Sequence, residues 1–192
     1  PYTDRDGVYG VADLQEMTSW QPVLSRAKLY ELSRQGIEIW DYNTTYVDPA
    51  ASVGAGTALL PGTILRGQTS IGKNCTIGPN SYLENARVGD GTKVNASQIY
   101  NSSVGYDTHV GPFAYIRPGS SVGNCVRVGD FVEIKNSNVS DGTKISHLTY
   151  VGDSDVGKNV NFGCGTVTVN YDRAKKYRTV IEDSAFIGCN TN

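Results

Sequence analysis

Small branched apolar residues recur about every sixth position along this chain, most often with glycine next. Val53-Gly54, Ile71-Gly72, Ile77-Gly78, Val88-Gly89, Val104-Gly105, Val110-Gly111, Val122-Gly123, Val128-Gly129, Val156-Gly157 and Ile187-Gly188 follow the rule. Leu65, Ile116, Ile134, Val139, Ile145 and Val151 keep the phase without the glycine. A period of six matches neither an amphipathic helix nor simple strand alternation. It matches a short strand followed by a turn, with three such rungs closing one triangular coil. The pattern predicts an all-β solenoid, a parallel β-helix in which each coil contacts mainly its neighbours. The branched residue points inward, and the glycine beside it is expected to take the backbone conformation that the corner demands. Asp90, Asn124, Asp141 and Asn159 are turn formers at the corners. From Val47 to Asn192 there is room for about eight coils of three hexads. Rungs starting at Leu83, Val94, Ile99, Ile134 and Val151 are one residue short. This shortening is expected to tighten the turn without moving the inward residue.

Residues 1–46 lack the hexad, and this sets the expected division of the chain into 1–46 and 47–192. Asp13 to Gln35 reads as a short N-terminal helical segment, with Asp13 as its cap and Gly36 as its stop. Pro22 is expected to break that helix or to start its second half. Gly36 to Thr45 reads as the connection into the first coil. The chain opens at Pro1 rather than Met and stops as a rung is completed at Asn192, so it reads as a piece of a longer protein.

Composition narrows the function. The 192 residues are 39% hydrophobic with a net charge of −2, which gives no footprint for nucleic acid or membrane. No stretch has the run of about 20 apolar residues that a membrane span needs, and no signal peptide is visible. The four cysteines, Cys75, Cys125, Cys164 and Cys189, form no CxxC pair. They read as free thiols in a reducing cytoplasm rather than as a disulfide or metal framework.

Three stretches replace ordinary corner residues with reactive ones: Pro112 to Gly119, Phe131 to Lys135, and Ser146 to Asp153. Arg117 and Lys135 are one coil apart and are expected to stack on one prism edge. There they form either a clamp for an oxyanion or phosphate, or two solvated surface cations. His147 stands outside the inward column and is a candidate proton acceptor, with a satisfied surface histidine as the alternative. His109 sits at an ordinary corner and reads as surface. Residues Val169 to Arg178 are off-phase, and four of the ten are cationic. They are expected to leave the prism as a loop suited to a neighbouring subunit or an anionic ligand.

These residues carry a family resemblance. Gly111-Pro112-Phe113-Ala114, Arg117-Pro118-Gly119, Val128 to Lys135, His147-Leu148-Thr149-Tyr150-Val151-Gly152-Asp153, Gly157 to Gly163 and Asn170-Tyr171-Asp172 resemble the acetyltransferase half of the GlmU family. These are bifunctional bacterial enzymes with glucosamine-1-phosphate acetyltransferase and N-acetylglucosamine-1-phosphate uridylyltransferase activities. The resemblance begins near residue 7 and runs through nearly the whole chain. It implies a left-handed parallel β-helix of hexapeptide repeats, assembled as a homotrimer with sites between subunits. It further implies acetyl transfer from acetyl-CoA to the amine of glucosamine 1-phosphate, serving UDP-GlcNAc and cell-wall synthesis, with no metal needed. Carried over by motif, Arg117 and Lys135 hold the sugar phosphate, and Tyr150, Asn161 and Lys176 complete the sugar site from an adjacent subunit. His147 is the general base. Asn170 and Tyr171 line the acetyl-CoA side, with Cys164 and Cys189 nearby and the Cys164 amide placed to receive the carbonyl oxygen.

Some positions depart from the family. Cys164 and Cys189 stand where it usually has Ala and Ser, and Ser146 and Arg173 replace glycines. Gly10-Val11-Ala12 resembles a Gly-Val-Asn in which the Asn binds metal, so uridylyltransferase chemistry is not expected here. Later coils that supply further coenzyme A contacts are expected beyond Asn192, and turnover by these 192 residues alone is expected to be weak or absent. The alternatives are a non-catalytic trimerisation scaffold and another hexapeptide acyltransferase, such as one acting on serine or tetrahydrodipicolinate.

Overall fold

The computed structural model describes residues 12–192. Helix α1 (Leu14–Arg34) leads into a prism of three parallel sheets of the left-handed β-helix type. The first sheet has nine strands, from Glu38–Ile39 to Phe186–Ile187. The second has seven, from Tyr46–Val47 to Tyr150–Gly152, and the third has eight, from Ser52–Val53 to Thr179–Ile181. The stretch expected to be only a connection therefore already contributes a strand, since Glu38–Ile39 pairs with Ala58–Leu59.

Inward residues pair with inward residues throughout. Leu83 faces Ile99, Ile99 faces Ile116, and Ile134 faces Val151, so the short rungs shift the corner and leave the column in place. A second inward column lies two residues before the first, and hexad counting overlooks it. It carries Thr57, Thr63, Thr69, Ser81, Thr92, Thr108, Ser137 and Thr143 among others, all buried. Their hydroxyls close the corners: Thr108 donates to the Gly123 carbonyl at 2.9 Å and accepts from the Val126 amide at 3.1 Å. This lets a polar side chain fill the core without a desolvation penalty.

Gly78 and Gly111, with φ of 107° and 99°, take the special backbone conformation expected beside the inward column, but most of the other glycines there have a different role. The left-handed conformation falls on corner residues such as Asn74 and Asp107, with φ of 55° and 49°. Gly105, beside an inward valine, needs only closeness: a Cβ there would meet the Gly123 carbonyl carbon and oxygen at 2.6 Å. Coil-on-coil stacking, rather than backbone torsion, excludes a side chain at that position.

Helix α1 runs unbroken through Pro22, contrary to expectation. The carbonyl that Pro22 leaves without an amide partner belongs to Thr18, and both residues are exposed, so water meets the cost. Asp13 caps the start by accepting from the Glu16 amide at 2.8 Å, while Glu16 accepts from the Ala12 amide at 3.0 Å. Leu29 and Leu32 are buried against the first coil, which the helix covers as a lid.

Candidate active site

The residues singled out by sequence fall into two groups on different faces. On the second sheet, the register Tyr115, Glu133, Tyr150 sets three successive outward side chains in line. Arg117 and Lys135 follow one coil apart beside them, as the 18-residue spacing requires. Arg117 donates to Glu133 at 2.8 Å and lies 5.9 Å from the Tyr115 ring centroid. That contact with Glu133 pushes the Arg117 pKa further up. Lys135 lies 3.7 Å from Asp153, and Lys176 reaches the same carboxylate oxygen at 3.9 Å. Asn136 and Asn170 also donate to Asp153, at 2.7 and 3.1 Å, and these bonds hold its carboxyl below the usual range. The hydrogen bond and charge of the adjacent Lys135 lower the Lys176 pKa. Two lysines thus meet at Asp153, while Arg117 pairs with Glu133 beside Tyr150 on the same sheet.

Residues Val169 to Arg178 leave the prism as expected and return at Thr179. Asp172 folds the loop by accepting from the amides of Ala174 and Lys175 at 2.8 and 2.7 Å. Tyr171 is exposed on it, with its hydroxyl donating to the Arg173 carbonyl at 2.8 Å. The returning end is locked by Arg178, which donates to both oxygens of Asp155 and to the carbonyls of Asn136 and Ser154. Arg178, and then Asn138, hold the Asp155 pKa at about 2, against an ordinary value of 3.8. A depressed acid contributes its stabilisation above the ordinary value and loses it as pH falls through the folded value. The Arg178 Nε–H resonance is therefore expected to stay constant above pH 3.8 and to move as pH drops to about 2. A resonance that is flat across that interval contradicts the lock.

The second group runs along the corner where the first sheet ends. His147 pairs in register with Asp130, and its Nδ1 lies 2.7 Å from Asp130 Oδ1. The bond to His147 lowers the Asp130 pKa, so the carboxylate only accepts and Nδ1 carries the proton. The lone pair of a neutral ring is then on Nε2. Asn161 stands on the first sheet with its neighbour Phe162 turned into the core. Cys164 and Cys189 follow at the next two coils of the same corner. Phe113 and Phe131 stack at 5.4 Å on that edge and are exposed, as is Leu148.

Asp130, Glu133, Asn136 and Asp153 were not assigned roles from sequence. The 17-residue spacing of Asp130 and His147, one coil with a short rung, is the signal that pairs them. Among the described residues no group of three or more His, Cys, Asp or Glu side chains is arranged to hold a metal. Of the metal-site resemblance at Gly10-Val11-Ala12, the first two residues lie outside the described ones.

The hexapeptide family described as "Bacterial transferase hexapeptide (six repeats)" matches residues 50–85. The bifunctional protein GlmU of Brevibacillus brevis is 44% identical over 189 residues, 98% of this chain and 41% of that protein. The GlmU of Acetivibrio thermocellus is 48% identical over 189 residues, again 98% and 41%. The chain belongs with the GlmU proteins. It spans about two fifths of the length of these GlmU relatives. A UDP-N-acetylglucosamine acyltransferase from Bacteroides fragilis superposes over 66% of each chain at 16% identity, with a TM-score of 0.45.

Proposed function

We propose that the chain transfers the acetyl group of acetyl-CoA to the amine of glucosamine 1-phosphate, in the cytoplasm and as a homotrimer. The observation that carries this reading is the Asp130–His147 pair, with Nδ1 held at 2.7 Å. A carboxylate-oriented imidazole is what an attacking amine needs, because it must lose a proton as the new C–N bond forms. Nε2 of His147 takes that proton, the tetrahedral intermediate collapses, and the coenzyme A thiolate leaves. The cation cluster supports a phosphate-bearing acceptor: Arg117 offers a fork, and Lys135 and Lys176 offer point charges. Tyr150 borders that site. Asn161 and His147 lie on another face from Lys135, so one copy of the chain does not close around a substrate by itself. This supports completion of each site by a neighbouring subunit. Cys164, Asn170, Tyr171 and Cys189 are assigned to the acetyl-CoA side, although the Asn170 amide also braces Asp153 beside the cations. No metal is assigned a step.

Isothermal titration of glucosamine 1-phosphate into the full-length protein tests the acceptor. Lys135→Ala is expected to weaken binding roughly ten- to a hundredfold, the worth of one charge-assisted hydrogen bond. Binding of unphosphorylated glucosamine should not change. Equal weakening of both sugars, or acylation of serine instead, overturns the assignment.

A further inference from the structure

Cys164 and Cys189 are 25 residues apart in sequence but occupy the same position on adjacent coils. The register Asn161 to Phe186 and Phe162 to Ile187 continues through them. It is held by the Gly163 amide on the Ile187 carbonyl at 2.8 Å and the Asn190 amide on the Cys164 carbonyl at 2.8 Å. A Cβ built on Gly163 would meet the Cys189 amide nitrogen at 2.5 Å, which shows how closely the coils stack there. In-register neighbours on parallel strands stand about 4.8 Å apart, inside the roughly 4.4–6.8 Å window of Cα separations that a disulfide spans. At this shared position Cys164 is half-buried and Cys189 exposed. The other thiols differ. Cys75 lies in the second inward column, where burial pushes its pKa up, and Cys125 stands at another corner, where its amide bonds the Tyr106 carbonyl.

We propose that Cys164 and Cys189 form a dithiol site for low-molecular-weight disulfides, closing a reversible bridge between the two coils. One thiolate attacks a sulfur of the small disulfide and releases one small thiol. The second thiolate then attacks the protein sulfur of that mixed disulfide and releases the other. The protein loses two hydrogens, and the small disulfide gains them as two thiols. This chemistry does not depend on the acetyl-transfer reading. Its consequence does: Cys164 sits one coil beyond His147 on the same corner, so the bridge lies along the edge assigned to acetyl-CoA.

Oxidised glutathione is the probe, with intact mass and peptide mapping as the readout. The full-length protein is expected to lose two hydrogens and to yield a linked Cys164–Cys189 peptide that dithiothreitol releases. Cys164→Ser and Cys189→Ser should each instead retain one glutathione on the remaining thiol, and Cys125→Ser should bridge as the parent does. Glutathione on both cysteines without a bridge, or a bridge to Cys125 or between chains, overturns the proposal. Acetyl-CoA titration of the bridged form separates the two readings. At least tenfold weaker binding, restored by dithiothreitol, ties the bridge to the donor site. Unchanged binding with the bridge formed overturns the donor assignment of these cysteines and leaves the dithiol standing.

Discussion

Replacing His147 with alanine in the full-length protein is expected to lower kcat for acetyl transfer by a hundred- to ten-thousandfold, roughly the worth of a positioned general base. The release of coenzyme A thiol, followed with a thiol reagent, measures it. The loss should fall on kcat, because His147 is not among the groups that hold the phosphate, and titrated affinity for glucosamine 1-phosphate should stay near the parent value. The proposed trimer should persist, since the His147 side chain lies outside the stacked core that the coils share. Asp130→Asn is a milder companion. An amide in place of the carboxylate can still accept through its oxygen but holds the Nδ1 proton without a full charge, so kcat should fall less than in His147→Ala. Turnover retained in His147→Ala removes the base assignment altogether.

The second large effect concerns stability. Ile134 is fully buried, with Ile116 below it and Val151 above it in register. Ile134→Ala is expected to destabilise the prism by about 2–5 kcal/mol, because coils held by backbone ladders on both sides cannot collapse onto the cavity. Urea unfolding measures it. Val180→Ala, at a position 69% exposed, should stay within about 0.5 kcal/mol of the parent. The cavity also undermines the site, since Ile134 is the residue immediately before Lys135. Sugar-phosphate affinity should fall with stability in Ile134→Ala and hold in Val180→Ala. An Ile134→Ala protein as stable as the parent would contradict the stacked-column account.

Much of this was legible in sequence because a solenoid is almost one-dimensional. Each inward residue repeats at a spacing set by its own rung, so Val53 through Ile187 declared the column without knowledge of any partner. The stacking of Arg117 over Lys135 followed from the same count. The loop at Val169 to Arg178 showed itself by breaking the phase. Other features depended on contacts between coils. The role of Gly105 is decided by the backbone of Gly123, which the local sequence does not contain. The Thr and Ser column looks polar and exposed until the next coil supplies its hydrogen-bond partners. Pro22 reads as a breaker because propensity takes no account of water reaching the Thr18 carbonyl.

The site divides in the same way. The residue types and the GlmU-like succession from Arg117 to Tyr171 determined which side chains carry chemistry. The tertiary structure decided which of them meet. It joined His147 to Asp130, gathered Lys135, Lys176, Asn136 and Asn170 on Asp153, and set Cys164 beside Cys189. It also placed Asn161 on a different face from Lys135. The physical reason lies in the fold: along the chain, a six-residue beat reports only which way a side chain points. Across coils, the short rungs shift which sequence neighbours come into register, and register determines which charges and thiols touch.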